Sequence, residues 1–350
     1  MNSRIAKLAV AAGIVLAVLI GINLTGRSNM ALADIIQPFL DARTATFTMT
    51  MEVQGAPTQT LDCVYAEPIR MRQTSRGQGV VVISDLTAGR IVTLMESQKR
   101  AVVMEITNVP EDPSENQFNM FGEIRKRIQE AQDAPDDSVT FLGEQRIEGR
   151  TVIGYHVKKP AVDLTIWADP ETKLPVQLKS VSGPTTFTMT DIVFNVDLDE
   201  SLFDLTIPDD YEVGTLHVDG SEPTERDLVA TFRTWAEHTG GALPPSLDEN
   251  TPMAFVLAQQ TKLMGTGQQT SPETVLRLQQ TILDLSRGLT FVQQLPPESD
   301  WHYAGNGVTF GAVGTPIFWY HPKGSETYRV IYADLTIDEV PASEAPVTAD

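Results

Sequence analysis

Between Arg43 and Val213 apolar and polar residues alternate one by one, and the alternation predicts strands. In TATFTMTMEV, Ala45, Phe47, Met49, Met51 and Val53 fall on one face, and four threonines with Glu52 fall on the other. This is the period of two that a half-buried strand requires. The string TFTMT occurs at 46–50 and again at 186–190, which predicts two strands of one antiparallel sheet sharing a greasy face. TQTLDCVYAE, IRMRQTS, GVVVISD, GRIVTLMES and KRAVVMEI follow the first copy, and SVTFLGEQRIEG, RTVIGYHVKK, VDLTIWADP and KLPVQLKSV lead up to TTFTMTDIVFNV. Each is bounded by Gly, Pro, Asp or Ser, so the pattern is a meander of roughly eleven strands. In the closing stretch LDESLFDLTIPDDYEV, Phe203, Leu205 and Ile207 alternate before Pro208 ends the strand. A sheet this wide curls, and its apolar face has to close on itself or be covered.

One helix interrupts the meander. In EDPSENQFNMFGEIRKRIQEAQDAPDD, Asp112 is placed to cap, Pro113 to open and Glu115 to complete a helix start. Phe118, Phe121, Ile124, Ile128 and Ala131 recur on one stripe, which suits packing on the sheet. After VDGSEP the period changes from two to helical. Thr224 with Asp227 starts a helix whose stripe is Leu228, Phe232, Trp235 and Ala236, and Gly240–Gly241 ends it. TPMAFVLAQQTKLM predicts a short second helix. Ser271–Pro272 starts another, in which Val275, Leu278, Ile282, Leu285 and Leu289 form a seam. A hairpin around Gly305-Asn306-Gly307 and a second one pairing Phe318, Trp319 and Tyr320 with Tyr328, Val330 and Tyr332 complete this part. The segment is similar to the C-terminal portions of pseudopilins. PASEAPVTAD reads as a disordered tail.

The N-terminus carries Arg4 and Lys7 and then an uninterrupted apolar run from Leu8 to Ile22, near the ~20 residues needed to cross a bilayer. It reads as an uncleaved membrane anchor, or as a secretory signal cut after Ala31-Leu32-Ala33. ADIIQPFLDA then reads as a helix leading directly into the first strand. Either way the body is exported. The 350 residues have a net charge of −20, and setting aside the cations Arg4, Lys7 and Arg27 of the acid-free first 33 residues leaves −23 for the rest. So acidic a body repels phosphate backbones, and nucleic acid is not an expected partner. At 41% apolar and 21% charged residues, the chain is an ordinary globular one. Its single cysteine, Cys63, lies in an alternating strand far from the N-terminus. It is expected to be a small buried apolar residue, neither a disulfide partner nor a lipidation site.

Catalytic chemistry is not visible. None of the five histidines, His156, His217, His238, His302 and His321, forms a metal spacing, although His302 and His321 lie in the aromatic hairpins and could meet. There is no nucleophile elbow, phosphate-binding glycine loop or HExxH. The expectation is a protein that is not an enzyme and has no cofactor and no metal.

The stretches YAEPIRMRQTS, GVVVISDLTAGRIVTLMESQKRAVVMEI, LTIWADPETKLPVQLK and DESLFDLTIPDDYEV together resemble the outer-membrane lipoprotein-sorting superfamily, which contains LolA, LolB and RseB. The resemblance covers roughly Asp34 to Val213, and its most specific part is the W-x-D-P-x-T-x-x-P string Trp167–Pro175. Leu86 follows Asp85 where the family usually has glycine. The resemblance implies an unclosed antiparallel half-barrel with a helix in its mouth and a concavity that takes acyl chains or lipidated protein. Phe47, Met49, Met51, Phe187 and Met189, with Phe118 and Phe121 of the helix, would line it, Met and Phe being adaptable to flexible chains. An ordinary core filled by the Phe118–Ala131 helix fits the same residues. Arg70 and Arg72, beside the mouth, would meet a headgroup or pair with acids of the sheet edge. The expected organisation is α+β. Residues 1–29 are an anchor or signal, 30–216 the half-barrel domain, 217–340 a smaller helix-plus-hairpin domain, and 341–350 a tail. The expected function is that of an envelope protein, body in the periplasm or outside the cytoplasmic membrane, binding lipid or a lipidated protein as carrier, receptor or sensor. The alternative is a structural or regulatory protein that binds an envelope protein partner, its cavity filled by its own helix. A tethered protein cannot shuttle, so the family's shuttle role would not carry over to an anchored chain.

Overall fold

The computed structural model describes residues 30–53, 55–109, 138–159, 162–182, 185–248, 251–252, 254–256, 259 and 271–346. The N-terminal apolar run and the helix expected at 112–131 lie outside them, as does most of TPMAFVLAQQTKLM. Among the described residues no helix is long and apolar enough to cross a membrane. The chain divides into two units, Met1–Gly220 and Ser221–Asp350.

The first unit opens with helix α1 (Met30–Asp41), which runs directly into β1 (Thr44–Val53). Ten further strands follow: β2 (Gln59–Ala66), β3 (Arg70–Ser75), β4 (Val80–Asp85), β5 (Arg90–Met95), β6 (Arg100–Thr107), β7 (Val139–Ile147), β8 (Arg150–Lys159), β9 (Val162–Ala168), β10 (Pro175–Ser182) and β11 (Thr185–Phe194). A last strand, β12 (Glu212–Asp219), makes a 12-stranded sheet ordered β12-β6-β5-β4-β3-β2-β1-β11-β10-β9-β8-β7. The sheet is open, with β12 and β7 at its edges. The two TFTMT copies pair with each other. Thr48 lies opposite Thr190, Met49 opposite Met189, Thr50 opposite Thr188 and Met51 opposite Phe187. With a side-chain period of two, this register puts both apolar sets on one face and both threonine sets on the other.

Two expectations for this unit are corrected. The sheet is not wholly antiparallel, because β12 runs parallel to β6 from Glu212–Arg100 to Asp219–Thr107. The strand expected at Phe203–Ile207 does not form. Asp199 accepts the Ser201 N–H at 2.9 Å, and Asp204 accepts both the N–H (2.9 Å) and the hydroxyl (2.7 Å) of Thr206. These local bonds compete with a ladder, and Glu200–Phe203 becomes a 3-10 turn with Phe203 buried. The WxDPxTxxP string forms the expected turn: Asp169 Oδ1 accepts the N–H groups of Glu171 (2.8 Å) and Thr172 (3.0 Å).

The second unit contains α2 (Glu225–Thr239), α3 (Pro272–Gln294) and a four-stranded antiparallel sheet. Its strands are β13 (His302–Tyr303), β14 (Pro316–Tyr320), β15 (Thr327–Tyr332) and β16 (Ile337–Pro341). α2 has the capping box of Thr224 and Asp227 and ends at left-handed Gly240; Ser271 caps α3, with Pro272 in its first turn. The helices approach closely at Gly288, where a Cβ would stand 2.6 Å from the Asp227 carbonyl oxygen and 2.7 Å from Leu228 Cα. Leu228, Phe232, Leu289 and Val292 meet Ile317, Phe318 and Ile331 in one core. The hairpin expected around Gly305–Gly307 is corrected: the turn exists, with Val308 N–H on the Gly305 carbonyl at 3.0 Å. The chain beyond it bridges Ala242 through Thr309, and β13 pairs instead with β14. The second hairpin forms between these two segments, with Phe318 opposite Ile331, Trp319 opposite Val330 and Tyr320 opposite Arg329, and a register shift between Pro316 and Phe318.

Arg287 on α3 donates to Asp227 Oδ1 at 2.7 Å and to the Ser221 carbonyl at 2.9 Å. Burial raises the Asp227 carboxyl, but the N–H and hydroxyl of Thr224 and the Arg287 guanidinium outweigh it and hold the group below its ordinary range. A depressed folded value stabilises the native state above the unfolded value, and that contribution is lost as pH falls through the folded value.

Two outcomes are expected. Met49→Asp, a charge under the β1–β11 ladder, lowers unfolding stability by about 3 kcal/mol or more, whereas Thr50→Val on the opposite face changes it by less than about 1 kcal/mol; urea midpoints measure both. Asp227→Asn destabilises the second unit by about 1–2 kcal/mol at neutral pH, and the gap to the native protein narrows below about pH 4. Unfolding followed by tryptophan fluorescence reads this, since Trp235, Trp301 and Trp319 of the 4 tryptophans lie in that unit.

Candidate functional site: the apolar face of the sheet

The apolar face is built from the register outward. Met49 stands between Leu61 on β2 and Met189 on β11, Phe47 opposite Cys63, and Ala45 between Tyr65 and Phe194. Leu178 on β10 and Ile166 on β9 continue the row of Met189 to Tyr155 on β8. All but Phe194 and Leu178 are buried members of one cluster, and these two, with Met71, Phe187 and Ile192, are partly buried and packed against it.

α1 lies on this face. Leu32, Ile35, Ile36 and Phe39 enter the same cluster, and the Phe39 ring meets Phe194 edge-on at 4.9 Å. The spacing of these four residues is the stripe of a helix one face of which is apolar. α1 carries Pro38 inside its 12 residues, so it lacks one N–H of its ladder, and a helix this short has little stability of its own. Its place on the sheet therefore depends on the four apolar side chains, each contributing about 1.5–3 kcal/mol when fully buried.

The expected lining residues are placed as follows. Phe47, Met49, Met51 and Met189 are all buried, at 3%, 5%, 8% and 6% exposure, and Phe187 is half-buried. Phe118 and Phe121 lie outside the described residues. The helix that covers Phe47 and Met49 is α1, a contribution signalled in the sequence by Ile35, Ile36 and Phe39 but not assigned to this face. Arg70 and Arg72 alternate with Met71 and so project from the opposite face. Arg70 is bound by both carboxylate oxygens of Glu200 and lies over the Phe203 ring at 4.9 Å, while Arg72 Nη1 donates to the Leu202 carbonyl at 3.2 Å. The 3-10 turn thus holds both arginines away from the apolar set, Arg70 through the Glu200 carboxylate and Arg72 through a backbone carbonyl.

The site's chemistry is apolar. The Cys63 thiol is pushed up to about 12 by burial and, second, by the charge of Asp62, so its nucleophilic thiolate form is negligible near neutrality. Burial raises Tyr155 as well. His302 stacks on Trp319 (5.4 Å) and His321 meets Tyr328 edge-on (5.3 Å). Among the described residues no group of three or more His, Cys, Asp or Glu is placed to hold a metal ion.

These features define a class: an α+β protein with a wide, open, mostly antiparallel sheet whose one apolar face lies under a helix. No family model matches the chain, and no curated protein sequence matches it. Solved structures do. The chain is similar to MucB in the MucA/MucB complex of Pseudomonas aeruginosa, at 15% identity and a TM-score of 0.28 over 51% of this chain and 60% of that one. It is similar to LprF of Mycobacterium bovis, at 10% identity and 0.33 over 53% of this chain and all of LprF (100%). A domain described as an outer-membrane lipoprotein-sorting protein, from Vibrio parahaemolyticus, matches at 13% identity and 0.24 over 49% of this chain and 95% of that one. The match spans about three fifths of the MucB complex chain. These likenesses concern the fold alone, and the fold described above rests on its own strand order and register.

Cys63 gives a readout of this face. It is expected to react with a thiol reagent at pH 8 at least about a hundredfold more slowly in the native protein than in urea; equal rates would mean that α1 does not cover it.

Proposed function

We propose that this is an envelope protein, tethered to the membrane through residues 1–29, that holds an acyl chain of a lipid or lipidated protein on the apolar face of its open sheet. It is a binding protein and not an enzyme. The reading is supported by one observation: methionine and phenylalanine side chains of β1 and β11 lie together under α1, a short helix interrupted by Pro38. Met and Phe conform to flexible chains, and a helix held by four side chains can be exchanged for a hydrocarbon tail of similar apolar area. α1 then occupies the face when no ligand is bound and yields it when one is. Because α1 follows the anchor directly, its displacement is felt at the membrane end of the body, which suits a receptor or sensor better than a shuttle.

A second reading has its own support. Phe47, Met49 and Met189 are already buried by the chain itself, which suits a structural or regulatory protein whose other surfaces bind an envelope protein.

Native mass spectrometry of the purified body separates the two. The first reading expects co-purifying lipid. It also expects that Phe39→Ala, which loosens α1, raises the affinity for a fluorescent fatty acid by about threefold or more, and that Met49→Lys removes binding. A clean apo mass under gentle conditions, with no fatty-acid binding by Phe39→Ala, supports the second reading and rejects the first.

A further inference from the structure

The string Trp167–Pro175 contributes Ala168 to the apolar core but not its tryptophan. Ile166 and Ala168 face α1's side, so Trp167 projects from the opposite, threonine-bearing face. There its Cα partners are Gly154 on β8 and Gln177 on β10. A Cβ built on Gly154 would stand 2.7 Å from both Cε3 and Cη2 of the indole, and closer still to Cζ3 between them. Near-equal distances to the two flanking atoms, each little longer than the central one, arise only when the ring is approached through its face; an edge-on approach would leave them much farther away. The indole therefore lies flat on the backbone of β8, in the space where a side chain would otherwise stand. The next residue along this row is Gly143 on β7, where an added Cβ would meet nothing within 4 Å. The flat ring thus borders an open position on the edge strand β7, and it remains partly exposed.

The adjacent row is polar across the sheet: Thr140, His156, Thr165, Lys179, Thr188 and Thr50 are successive cross-strand partners from β7 to β1. His156 Nε2 lies 2.8 Å from Asp163 Oδ1, and Lys158 Nζ is 3.8 Å from the other oxygen of Asp163. Asp163 is therefore engaged, the second acid near the ring, Asp169, is held by the N–H groups of Glu171 and Thr172, and Lys179 stands exposed beside the ring's neighbours. On a chain of net charge −20, Lys179 and the row of hydroxyls give an anion local partners here.

A flat aromatic face flanked by an amide, hydroxyls and a cation matches a sugar ring that carries acid groups. The C–H face of a pyranose stacks on the indole. Its hydroxyls exchange hydrogen bonds with Gln177 and the threonines, and its carboxylate meets Lys179. We propose that the Trp167 face of the sheet binds an acidic saccharide. The site is separate from the acyl-chain face and does not depend on it.

Isothermal titration of the full chain with hexagalacturonate, and with neutral maltohexaose as comparison, tests this. Hexagalacturonate is expected to bind with a Kd below about 1 mM and more tightly than maltohexaose. Trp167→Ala is expected to weaken it at least about tenfold. Gly154→Ala tilts the ring while leaving it present and is expected to weaken binding too, so it decides the matter if Trp167→Ala melts early. Lys179→Ala is expected to remove the preference for the acidic sugar. The proposal is overturned if hexagalacturonate gives no heat up to about 10 mM, if maltohexaose binds as tightly, or if a folded Trp167→Ala or Gly154→Ala protein binds like the native one.

Discussion

The ladder between β1 and β11 is the contact on which the first unit depends. In the sheet it is the one strand pairing, among the described residues, between the half made by β1 to β6 and β12 and the half made by β7 to β11, with α1 packed across both. The two strands are separated by most of the unit's sequence, so their pairing closes a long loop at an entropic cost. What offsets that cost is the coincidence of register on both faces. Met49 meets Met189 and Met51 meets Phe187 on the apolar side, while Thr48 meets Thr190 and Thr50 meets Thr188 on the other. A slip by one residue would turn every one of these side chains over. The repeated string is thus a device for pairing like with like across the centre of the sheet.

Around β1 and β9 to β11 this register creates two surfaces of opposite character, whereas on β4 to β6 the row of Arg72 continues as the buried apolar residues Ile83, Val92 and Val103. On one side apolar side chains from β1, β2 and β8 to β11 form a continuous bed covered by α1. On the other, threonines, paired ions and a flat indole face outward. The remaining charged groups tie down the periphery. Lys99 with Asp210 (3.0 Å) and Arg100 with Glu212 (3.3 Å) attach the entry to β12 along β6, and Glu200 holds Arg70. In the second unit Arg329 bridges Glu225 (2.6 Å) and Glu339 (2.8 Å), and Tyr320 donates to Glu225 at 3.0 Å, joining the start of α2 to the sheet.

Much of this was legible in the chain because its signals are local. The eleven strands β1 to β11 each carry their own alternation and turn residues, and Thr224, Asp227, Gly240 and Ser271 mark helix ends by hydrogen bonds within a few residues. What escaped depends on distant partners. In β12, Val213 is 52% exposed and Leu216 is buried against β6, a pattern too weak to announce a strand until the parallel neighbour is present. Phe203 to Ile207 alternates like a strand, yet Asp199 and Asp204 bend it locally. The turn at Gly305–Gly307 is real, but the strand that pairs with β13 begins only at Pro316. At the site, Phe47, Met49 and Met189 were readable as one apolar face. The identity of the cover was not, since which helix reaches a face is a tertiary matter, and the outward direction of Arg70 and Arg72 followed from Met71 taking the inner position.

The central claim, that a hydrocarbon tail can take the place of α1, is tested most directly by photo-cross-linking with a palmitate analogue carrying a diazirine near its end, mapped by peptide mass spectrometry. The account predicts adducts on the peptides containing Met49 and Met189, competed away by unlabelled palmitate. Adducts confined to the threonine-bearing face, or none above the level of a denatured control, would contradict it.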